Sequence, residues 1–533
     1  MAPGASLPEE AALVARLRSP GCYPHATAGV ELLETHISWV LLAGDFAYKI
    51  KKPVSLGFAD FSTLAARRRF CEAELRLNRR TAPGLYVDVV AISNGAAGPV
   101  FGGAGPAIEY AVRMRRFPQE ALLDRVARQG LLTAGHVDDL AAAMAAFHEG
   151  IARQRGEGPY GSPAEVLAEA RGNFAQVAAL DTDPRTQGLR DELAAWTESV
   201  AERREGDFAH RKFAGFVREC HGDLHLGNVA LLDGKPVAFD AIEFNEAFRW
   251  IDVMNEVAFP VMDLHHHGLP HLARRLLDAY LAATGDYAGL RVLRFYLVYR
   301  AMVRAKVACI RAAQPGLPLP EREAVSAEYR GHLALAQQLA RPGTAVMVAM
   351  HGLSGAGKTA VSQRLLELLG AVRVRSDVER KRLHGMAAQQ RSGSATGGGI
   401  YTAADDRLTY SRLAALADEC LAAGHPVIVD ATFLERRWRE LFREFARERG
   451  VPFVLLACAA PEAVLRSRVA SRERAGRDAS EAGLAVLEQQ IARLEPLEID
   501  EVEDAIILDT GEACGPMRLA ADIERVARDI SAR

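Results

Sequence analysis

The chain has 533 residues, of which 49% are hydrophobic and 25% are charged, and its formal net charge is -3. This length exceeds what one hydrophobic core usually organises, so we expect more than one domain. The composition is that of a folded globular protein rather than a disordered or fibrous one. The near-neutral charge argues against nucleic acid or an anionic membrane as a partner.

Neither the cysteines nor the first residues indicate export. The seven cysteines contain no C-x-x-C pair, and several lie in apolar runs, which predicts buried thiols in a reducing compartment. The opening segment "MAPGASLPEEAALVARL" lacks a basic stretch followed by a long apolar run. No window approaches the roughly 18 apolar residues that span a bilayer. We therefore expect a cytoplasmic protein without a membrane segment.

Residues 1–117 have the pattern of strands and one helix. "ISWVLLAGDFAYKI" is typical of two strands joined at "AGD", and "STLAARRRFCEAELRLNRR" predicts a helix capped by Ser62 or Thr63. Further strands are predicted at "YVDVVAI" and "EYAVRMRRF", with a glycine-rich turn between them. Residues 118–340 are predicted to be mostly helical, and "RPG" at 341–343 marks the next boundary.

The segment "HGDLHLGN" contains Asp223 and Asn228, and Asp240 follows in "AFDAIEFN". Two short apolar runs joined by Asp233-Gly234 separate Asn228 from Asp240, which is a strong signal for a hairpin. Folding that hairpin would return Asp240 to the neighbourhood of Asn228. Phosphoryl transfer from ATP needs a carboxylate to orient a hydroxyl and oxygen ligands for Mg²⁺, which these residues supply. The alternative is a polar loop beside a hairpin, with Asp223 as a cap.

"HGDLHLGN" resembles the H-G-D-x-x-x-x-N catalytic loop of the aminoglycoside phosphotransferase and choline kinase family, whose α+β fold is protein-kinase-like. The resemblance implies that Asp223 is the catalytic base. It implies that Asn228 and Asp240 bind Mg²⁺. It also implies that His221 structures the loop and that Asp252 supports it.

The same resemblance implies a strand lysine paired with a helical glutamate. "FAYKIKK" offers Lys49, with Lys51 and Lys52 as competitors. In the following helix, Glu74 shares the face defined by i, i+3, i+4 and i+7 spacing, so Glu74 is the expected partner. A surface ion pair is the alternative. The family's G-x-G-x-x-G loop is absent, and residues 36–39 would have to form the turn over the phosphates.

Metal-ligand residue types gather at Asp263, His265–His267 and His271. Adjacent histidines point in different directions on a helix or a loop, which does not suit one metal ion. We therefore expect a solvated turn here.

The segment "GLSGAGKT" follows an apolar run and satisfies G-x-x-x-x-G-K-[ST], which predicts a phosphate-binding loop. Its backbone N–H groups and the positive end of the next helix would hold phosphate oxygens. Lys358 would reach the β- and γ-phosphates, and the Thr359 hydroxyl would bind Mg²⁺. The candidate binding residues are Gly352, Ser354, Gly355, Ala356, Gly357, Lys358 and Thr359.

Around this loop, five strand candidates alternate with helices, which predicts an α/β P-loop NTPase domain with a parallel sheet over residues 341–533. Asp377 follows the second strand, where its carboxylate would accept a substrate hydroxyl proton or merely cap a helix. Asp430 ends another buried run, in the position of a Walker B acid that organises Mg²⁺. Arg468 and Arg472 lie one helical turn apart and are predicted to stabilise the transferred phosphoryl group.

These motifs resemble the P-loop kinases of small molecules and nucleic-acid ends, a group that contains gluconate kinase and polynucleotide kinase. The chain as a whole resembles bacterial proteins described as bifunctional aminoglycoside phosphotransferase/ATP-binding proteins. The resemblance implies an enzyme that uses ATP and Mg²⁺ at two nucleotide sites to phosphorylate hydroxyl groups of small molecules. Two alternatives stay open: one head is a regulatory ATP-binding module, or the enzyme is a nucleic-acid end kinase.

Overall fold

The computed structural model describes residues 7–55, 59–154, 156–314, 316–388, 390–393, 398–475, 482–511 and 515–532. The chain forms two compact units: Met1–Ala170 with Phe208–Asp263, and Arg171–Asp207 with Leu264–Arg533. The six cysteines within the described ranges are buried thiols, and Cys514 lies outside those ranges. No helix in the described part of the chain is long and apolar enough to cross a membrane.

Six strands of the first unit form one antiparallel sheet: β1 (Val30–Glu34), β2 (Ser38–Ala43), β3 (Phe46–Lys51), β4 (Tyr86–Gly95), β5 (Gly98–Phe101) and β6 (Ala107–Arg115). They pair in the order β1-β2-β3-β6-β4-β5. The predicted glycine-rich turn contains β5, a strand that the sequence pattern did not indicate. Two helices accompany the sheet: α1 (Leu7–Leu17) and α2 (Leu64–Asn78). α2 begins where the Thr63 hydroxyl accepts the Ala66 N–H at 3.1 Å, as the predicted cap requires.

The pleat of this sheet decides which side chains reach α2. Tyr48 and Ile50 of β3 belong to one buried cluster, whereas Ala47 belongs to another that includes Cys71 of α2. Because side chains alternate along a strand, Lys49 and Lys51 share the face of Ala47. Both lysines therefore project toward α2.

The chain between β6 and residue 266 is mostly helical, with four short strands. Its elements are α3 (Leu123–Arg128), α4 (Ala134–Gly150), α5 (Pro163–Leu180), α6 (Pro184–Arg203), α7 (Glu205–Phe213), β7 (Val217–Glu219), β8 (Val229–Leu232), β9 (Lys235–Ala238), β10 (Trp250–Asp252) and α8 (Val253–His266). β7 pairs with β10, and β8 pairs with β9 as the predicted hairpin. The turn residues Asp233 and Gly234 have φ of 49° and 75°, the positive values that a two-residue hairpin loop needs.

In the second unit, α6 and three further long helices precede the P-loop segment: α9 (Pro270–Thr284), α10 (Leu290–Ala312) and α11 (Leu319–Ala340). Five strands then form one sheet: β11 (Met347–His351), β12 (Val372–Arg375), β13 (Val427–Asp430), β14 (Phe453–Ala459) and β15 (Ala505–Asp509). Every pairing is parallel, in the order β12-β13-β11-β14-β15. The predicted parallel sheet is confirmed, and all five predicted strand segments belong to it.

Helices surround this sheet: α12 (Lys358–Leu369), α13 (Ser376–Leu383), α14 (Ala403–Ala422), α15 (Arg436–Glu448), α16 (Glu462–Ala475), α17 (Leu484–Arg493), α18 (Ile499–Val502) and α19 (Gly515–Ser531). β11 and β13 are buried along their whole length, as expected of central strands covered on both faces. The carboxyl ends of parallel strands meet at one edge of a sheet. The phosphate loop after β11, Asp377 after β12 and Asp430 at the end of β13 therefore lie at the same edge.

Candidate active sites

In the first unit, two lysines of β3 share one glutamate of α2. Lys49 Nζ lies 2.9 Å from Glu74 Oε1 and also contacts Asp240. Lys51 Nζ lies 2.7 Å from Glu74 Oε2 and also contacts Glu243. Glu74 is fully buried, so the surface-pair alternative is excluded. Lys49 is the lysine that joins this pair to Asp240.

These ion pairs keep both partners charged. Burial opposes the charged form of Lys49, but the carboxylates of Asp240, Glu74 and Glu243 outweigh it and raise the lysine pKa well above its ordinary value. Burial likewise opposes ionisation of Asp240, but Lys49 and Lys51 outweigh it and lower the pKa of this carboxyl. The site therefore holds a fixed ammonium and an ionised carboxylate in contact.

The hairpin places Asp240 beside the "HGDLHLGN" loop. Asn228 Nδ2 donates to the Asp223 carbonyl oxygen at 2.9 Å and to Asp223 Oδ2 at 3.0 Å. The N–H of Phe239, which precedes Asp240, donates to the Asn228 carbonyl at 2.9 Å. Asp240 has φ of 65°, and its N–H donates to the Tyr86 hydroxyl at 3.1 Å. Asp223, Asn228 and Asp240 are thus brought to one place.

The side chains at this place fit a magnesium ion. The Asn228 amide nitrogen is used by Asp223, which turns the amide oxygen the other way. The Asp240 side chain is 41% exposed, and Lys49 contacts its Oδ1 atom. Amide and carboxylate oxygens are the ligands that Mg²⁺ prefers. Asn228 and Asp240 are therefore the residues that would hold the ion.

His221 connects the loop to the hairpin. Its Nδ1 accepts the Asp223 N–H at 3.3 Å, so the proton lies on Nε2, which is 2.8 Å from the Phe239 carbonyl oxygen. Burial lowers the pKa of His221, and the ring is neutral. This neutral ring is a donor and an acceptor within the loop.

Glu256 of α8 holds the loop from the other side. Its carboxylate accepts the N–H groups of His221 at 3.1 Å and Gly222 at 2.8 Å, and His148 Nε2 lies 3.1 Å away. Burial raises its pKa, but His148 and the loop donors outweigh burial and lower the pKa to about 2. Asp263, seven residues after Glu256 on the same face of α8, accepts the Leu226 N–H at 2.9 Å.

This arrangement corrects the expectation for Asp252. Asp252 is buried in a two-point pair with Arg211, at 2.7 and 2.8 Å, rather than bonded to the loop. Glu256 and Asp263 take the supporting role. Two acids seven residues apart in the otherwise apolar run "VMNEVAFPVMDL" share one helical face, and that spacing is the signal that could have found them.

The solvated turn expected near the histidines is found only in part: His265 and His266 end α8, and a turn with an exposed Gly268 follows at residues 267–268. Asp263 is only 5% exposed. Burial lowers the pKa of His265 to about 4, and His266 stacks on His332 with ring centroids 3.9 Å apart. Within the described residues, the side chains of this cluster do not bring three ligand atoms close enough together to hold one metal ion.

The β1–β2 turn lies at residues 35–37, close to the segment expected to form the turn over the phosphates. The Ser38 N–H donates to Thr35 Oγ1 at 3.0 Å, and the Thr35 N–H donates to the Ser38 carbonyl at 2.9 Å. Lys52 Nζ donates to the Thr35 carbonyl at 2.5 Å and lies 2.6 Å from Glu34. The turn therefore starts earlier than expected, and Ser38 and Trp39 belong to β2.

In the second unit, the phosphate loop needs glycine for its shape. Gly352 and Gly355 have φ of 134° and 83°, values that other residues rarely adopt. A Cβ on Gly352 would lie 2.5 Å from the Cys458 carbonyl oxygen, and one on Gly355 would lie 2.8 Å from that of Leu465. Strand β14 and helix α16 thus approach the loop too closely for a side chain.

The loop leads directly into α12. Gly357, with φ of 80°, is the N-cap, so the first N–H groups of the helix point back toward the loop. Lys358 Nζ donates to the carbonyl oxygens of Gly352 at 2.8 Å and Leu353 at 3.0 Å. Burial lowers the pKa of Lys358 more than Asp430 raises it. Because it donates to these two carbonyl groups, the lysine side chain lies across the loop.

Asp430 and Thr359 fit a second magnesium ion. Asp430 is 6% exposed, and its Oδ2 lies 3.1 Å from Ser362 Oγ on α12. Thr359 is exposed in the first turn of the same helix. A carboxylate and a hydroxyl next to a phosphate loop are suitable oxygen ligands.

A cavity of about 790 Å³ lies at this sheet edge, a volume within the usual range for small-ligand pockets. Its walls include Asp377, Asp430, Arg468 and Arg472 together with the loop residues Ser354, Gly355, Gly357, Lys358 and Thr359. Gly352 and Ala356 are buried in the same loop. Asp377 is not a helix cap, because α13 begins at Ser376 and Arg375 is its N-cap.

The two predicted arginines donate hydrogen bonds to main-chain carbonyl groups around the cavity. Arg468 donates to the carbonyl oxygens of Gly355 at 3.3 Å and Thr510 at 2.7 Å, and Arg472 donates to that of Ala482 at 2.8 Å. Both side chains line the cavity. Arg468 therefore contacts the phosphate loop itself.

Aromatic residues that the motifs did not single out line the same cavity. Tyr410 of α14 stacks on Trp438 of α15, with ring centroids 4.4 Å apart and planes at 3°. Arg380 donates to Asp406 at 2.8 Å beside them. Their elements are predictable, but their convergence depends on tertiary packing.

The first part of the chain has the protein-kinase-like fold that its motifs predict, and a P-loop domain with a parallel sheet follows it. A family model described as an AAA domain matches residues 347–497. The chain is 31% identical over 458 residues to the uncharacterized protein Rv2004c of Mycobacterium tuberculosis strain H37Rv, covering 85% of this chain and 88% of that protein. The chain belongs to the same family as this mycobacterial protein.

Solved kinases are also similar to this chain. A gluconokinase from Sinorhizobium meliloti 1021 is 25% identical, with 36% of this chain and 93% of that chain covered and a TM-score of 0.25. The amicoumacin kinase hAmiN, solved in complex with AMP-PNP, Ca²⁺ and Ami, is 13% identical, with 62% and 93% covered and a TM-score of 0.38.

Proposed function

We propose that this protein is an ATP- and Mg²⁺-dependent phosphotransferase with two nucleotide sites, which transfers the γ-phosphoryl group to hydroxyl groups of small molecules. The observation that carries the proposal is the cavity that gathers Lys358, Thr359, Asp377 and Asp430 around one phosphate-binding loop. A loop that only turned the chain would need none of these polar side chains at its mouth.

At the P-loop site, backbone N–H groups of the loop and of α12 bind the phosphates. Lys358 leaves the carbonyl groups of its own loop and pairs with the β- and γ-phosphates. Thr359 and Asp430 would hold Mg²⁺, which would neutralise phosphate charge. Asp377 accepts the hydroxyl proton while the acceptor oxygen bonds to the γ-phosphorus and the bond to the β–γ bridging oxygen breaks.

At the kinase-like site, the same chemistry uses different residues. Lys49, oriented by Glu74, binds the nucleotide phosphates, and Asn228 and Asp240 would hold Mg²⁺. Asp223 accepts the proton of the attacking hydroxyl. Its position is supported by the Asn228 amide, which donates to both its carbonyl and its carboxylate.

The test is phosphoryl transfer from γ-labelled ATP by the full chain to a panel of sugars, amino alcohols, aminoglycosides and oligonucleotides. Asp223→Ala and Lys358→Ala are compared with the wild type. We expect each product to fall by roughly 10²-fold or more in one variant only, because each variant disables one site. Asp139→Ala and Lys235→Ala alter exposed residues of the same types and should leave transfer unchanged.

Different results would contradict different parts of the proposal. If every product persisted in Asp223→Ala and disappeared in Lys358→Ala, the kinase-like head would not be a catalyst. Phosphorylation confined to oligonucleotides would exclude small-molecule acceptors. If no acceptor were labelled although ATP binds, the proposed activity would be wrong.

A further inference from the structure

Helix α9 of the second unit contacts strand β12 through a buried acid. Asp278 of α9 is 3% exposed, and its Oδ1 accepts the backbone N–H of Arg373 at 3.1 Å. Its Oδ2 accepts from Arg373 Nη2 at 3.0 Å. One carboxylate therefore fixes both the main chain and the guanidinium of Arg373, which is itself 6% exposed.

Arg373 extends this contact into the phosphate-loop helix. Its Nη1 donates to the Thr359 carbonyl at 3.3 Å and to Ser362 Oγ at 3.2 Å, and its Nη2 donates to Gln363 at 2.7 Å. Ser362 Oγ lies 3.1 Å from Asp430 Oδ2. A continuous chain of polar contacts thus runs from α9 to both residues that fit Mg²⁺.

We propose that Asp278 is a positioning residue for the magnesium ligands of the P-loop site. This inference rests on the proposed function of that site. Without the Asp278 charge, Asp430 is the remaining acid in the network of the buried Arg373 guanidinium. A buried charge must be paired. Arg373 is then drawn toward Asp430, so that it no longer holds the Ser362 hydroxyl, which orients Asp430, or the Thr359 backbone in place.

The helix pair also makes contacts at the far end of α12, which reach this network only through Gln363, whose Nε2 donates to Glu367 Oε1 at 3.1 Å. Arg275 of α9 lies 3.0 Å from Glu367, and Arg274 donates to the Glu367 and Leu368 carbonyls at 2.6 and 2.8 Å. These contacts hold the far end of α12. Arg275→Gln therefore weakens the same helix pair while leaving Arg373 and Ser362 untouched.

The experiment measures, by calorimetry on the full chain, the affinity of the P-loop site for a non-hydrolysable ATP analogue with Mg²⁺ and with EDTA. The kinase-like site is silenced in every sample by Lys49→Ala together with Asp240→Asn, because the EDTA samples also require loss of the lysine that would bind the phosphates. For Asp278→Asn we expect Mg²⁺-dependent binding to weaken about tenfold, whereas Mg²⁺-free binding stays within twofold, because the loop N–H groups are unaltered. Asp278→Glu should recover part of the loss.

Two controls separate positioning from folding. Arg275→Gln and Asp286→Asn should behave as the background protein does; Asp286 is an equally buried acid that accepts the Gly289 N–H. If Asp278→Asn does not fold, Ser362→Ala cuts the link between Arg373 and Asp430 and should show the same Mg²⁺-specific loss.

Equal weakening with and without Mg²⁺, or no weakening, would overturn the positioning role. Failure of the proposed function has a different signature, because the background protein would then bind no nucleotide before Asp278 is changed. That result would remove the basis of the inference as well.

Discussion

A single buried carboxylate, Glu256, organises the loop that carries Asp223. It accepts two consecutive backbone N–H groups and faces His148, so each of its oxygens has a donor. A buried acid with this many donors is ionised at little cost, which is why its pKa is low. The polar loop keeps its shape because this acid satisfies N–H groups that face the protein interior.

We therefore expect Glu256→Gln to loosen the loop. The glutamine NH₂ would face an N–H donor, which leaves buried donors unpaired and costs roughly 3 kcal/mol of the free energy of unfolding. Hydrogen exchange at the His221 and Gly222 amides should become faster at pH 7. Glu72→Gln, at an exposed glutamate of the same unit, should leave both amides protected. Unchanged exchange in Glu256→Gln would contradict this role.

The low pKa of Glu256 also sets a pH dependence. Its pKa is about 2 in the folded protein against an ordinary 4.5. Its ionisation stabilises the fold fully above pH 4.5, and this contribution is lost as the pH falls from there toward 2. The stability difference between wild type and Glu256→Gln should thus be constant near neutrality and shrink below pH 4.5, as measured by urea denaturation. A difference that grew in acid would contradict the assignment.

At the scale of elements, the sequence pattern predicted the strands, turns and caps that depend on interactions between neighbouring residues. The five strands of the second sheet are short apolar runs, and the β8–β9 hairpin follows from Asp233-Gly234. The Thr63 cap and the inward face containing Glu74 follow from helical spacing. These features depend on neighbours within a few residues.

The features that the patterns missed depend on distant partners. Glu256 follows His221 by 35 residues, and Asp278 precedes Arg373 by 95. No local periodicity encodes such pairings. The β1–β2 turn shifted from residues 36–39 because Thr35 and Lys52 close it with hydrogen bonds. The wall formed by Tyr410 and Trp438 likewise needs α14 and α15 to pack together.

The phosphate loop itself gives an element-scale prediction. Gly355→Ala would place a Cβ 2.8 Å from the Leu465 carbonyl at φ of 83°, so either the loop or α16 must move. We expect nucleotide affinity at this site to fall at least tenfold, measured by calorimetry with Asp240→Asn as background. Gly188→Ala, in the second turn of α6 with no atom within 4 Å of the added Cβ, should bind normally. Wild-type affinity in Gly355→Ala would show that the loop tolerates a side chain.

At the scale of the molecule, the groups proposed to bind nucleotide phosphates divide between the two units. Lys49, Glu74 and Asp240 belong to the first unit, whereas Lys358 and Asp430 belong to the second. The mycobacterial relative aligns with 85% of the chain, so the shared family extends across both units. Neither set needs a residue from the other unit to be complete, which argues for two separate binding events.

The number of nucleotides bound per chain tests this reading directly. We expect calorimetry with a non-hydrolysable ATP analogue and Mg²⁺ to give two sites for the wild type, one for Lys358→Ala, one for Asp240→Asn and none for the double variant. Asparagine is chosen at position 240 because it tolerates the φ of 65° found there and removes only the charge that would hold Mg²⁺. Lys235→Ala should keep two sites. A wild-type stoichiometry of one, with either single variant abolishing all binding, would mean that both sets of residues serve one nucleotide, and the two-site proposal would be wrong.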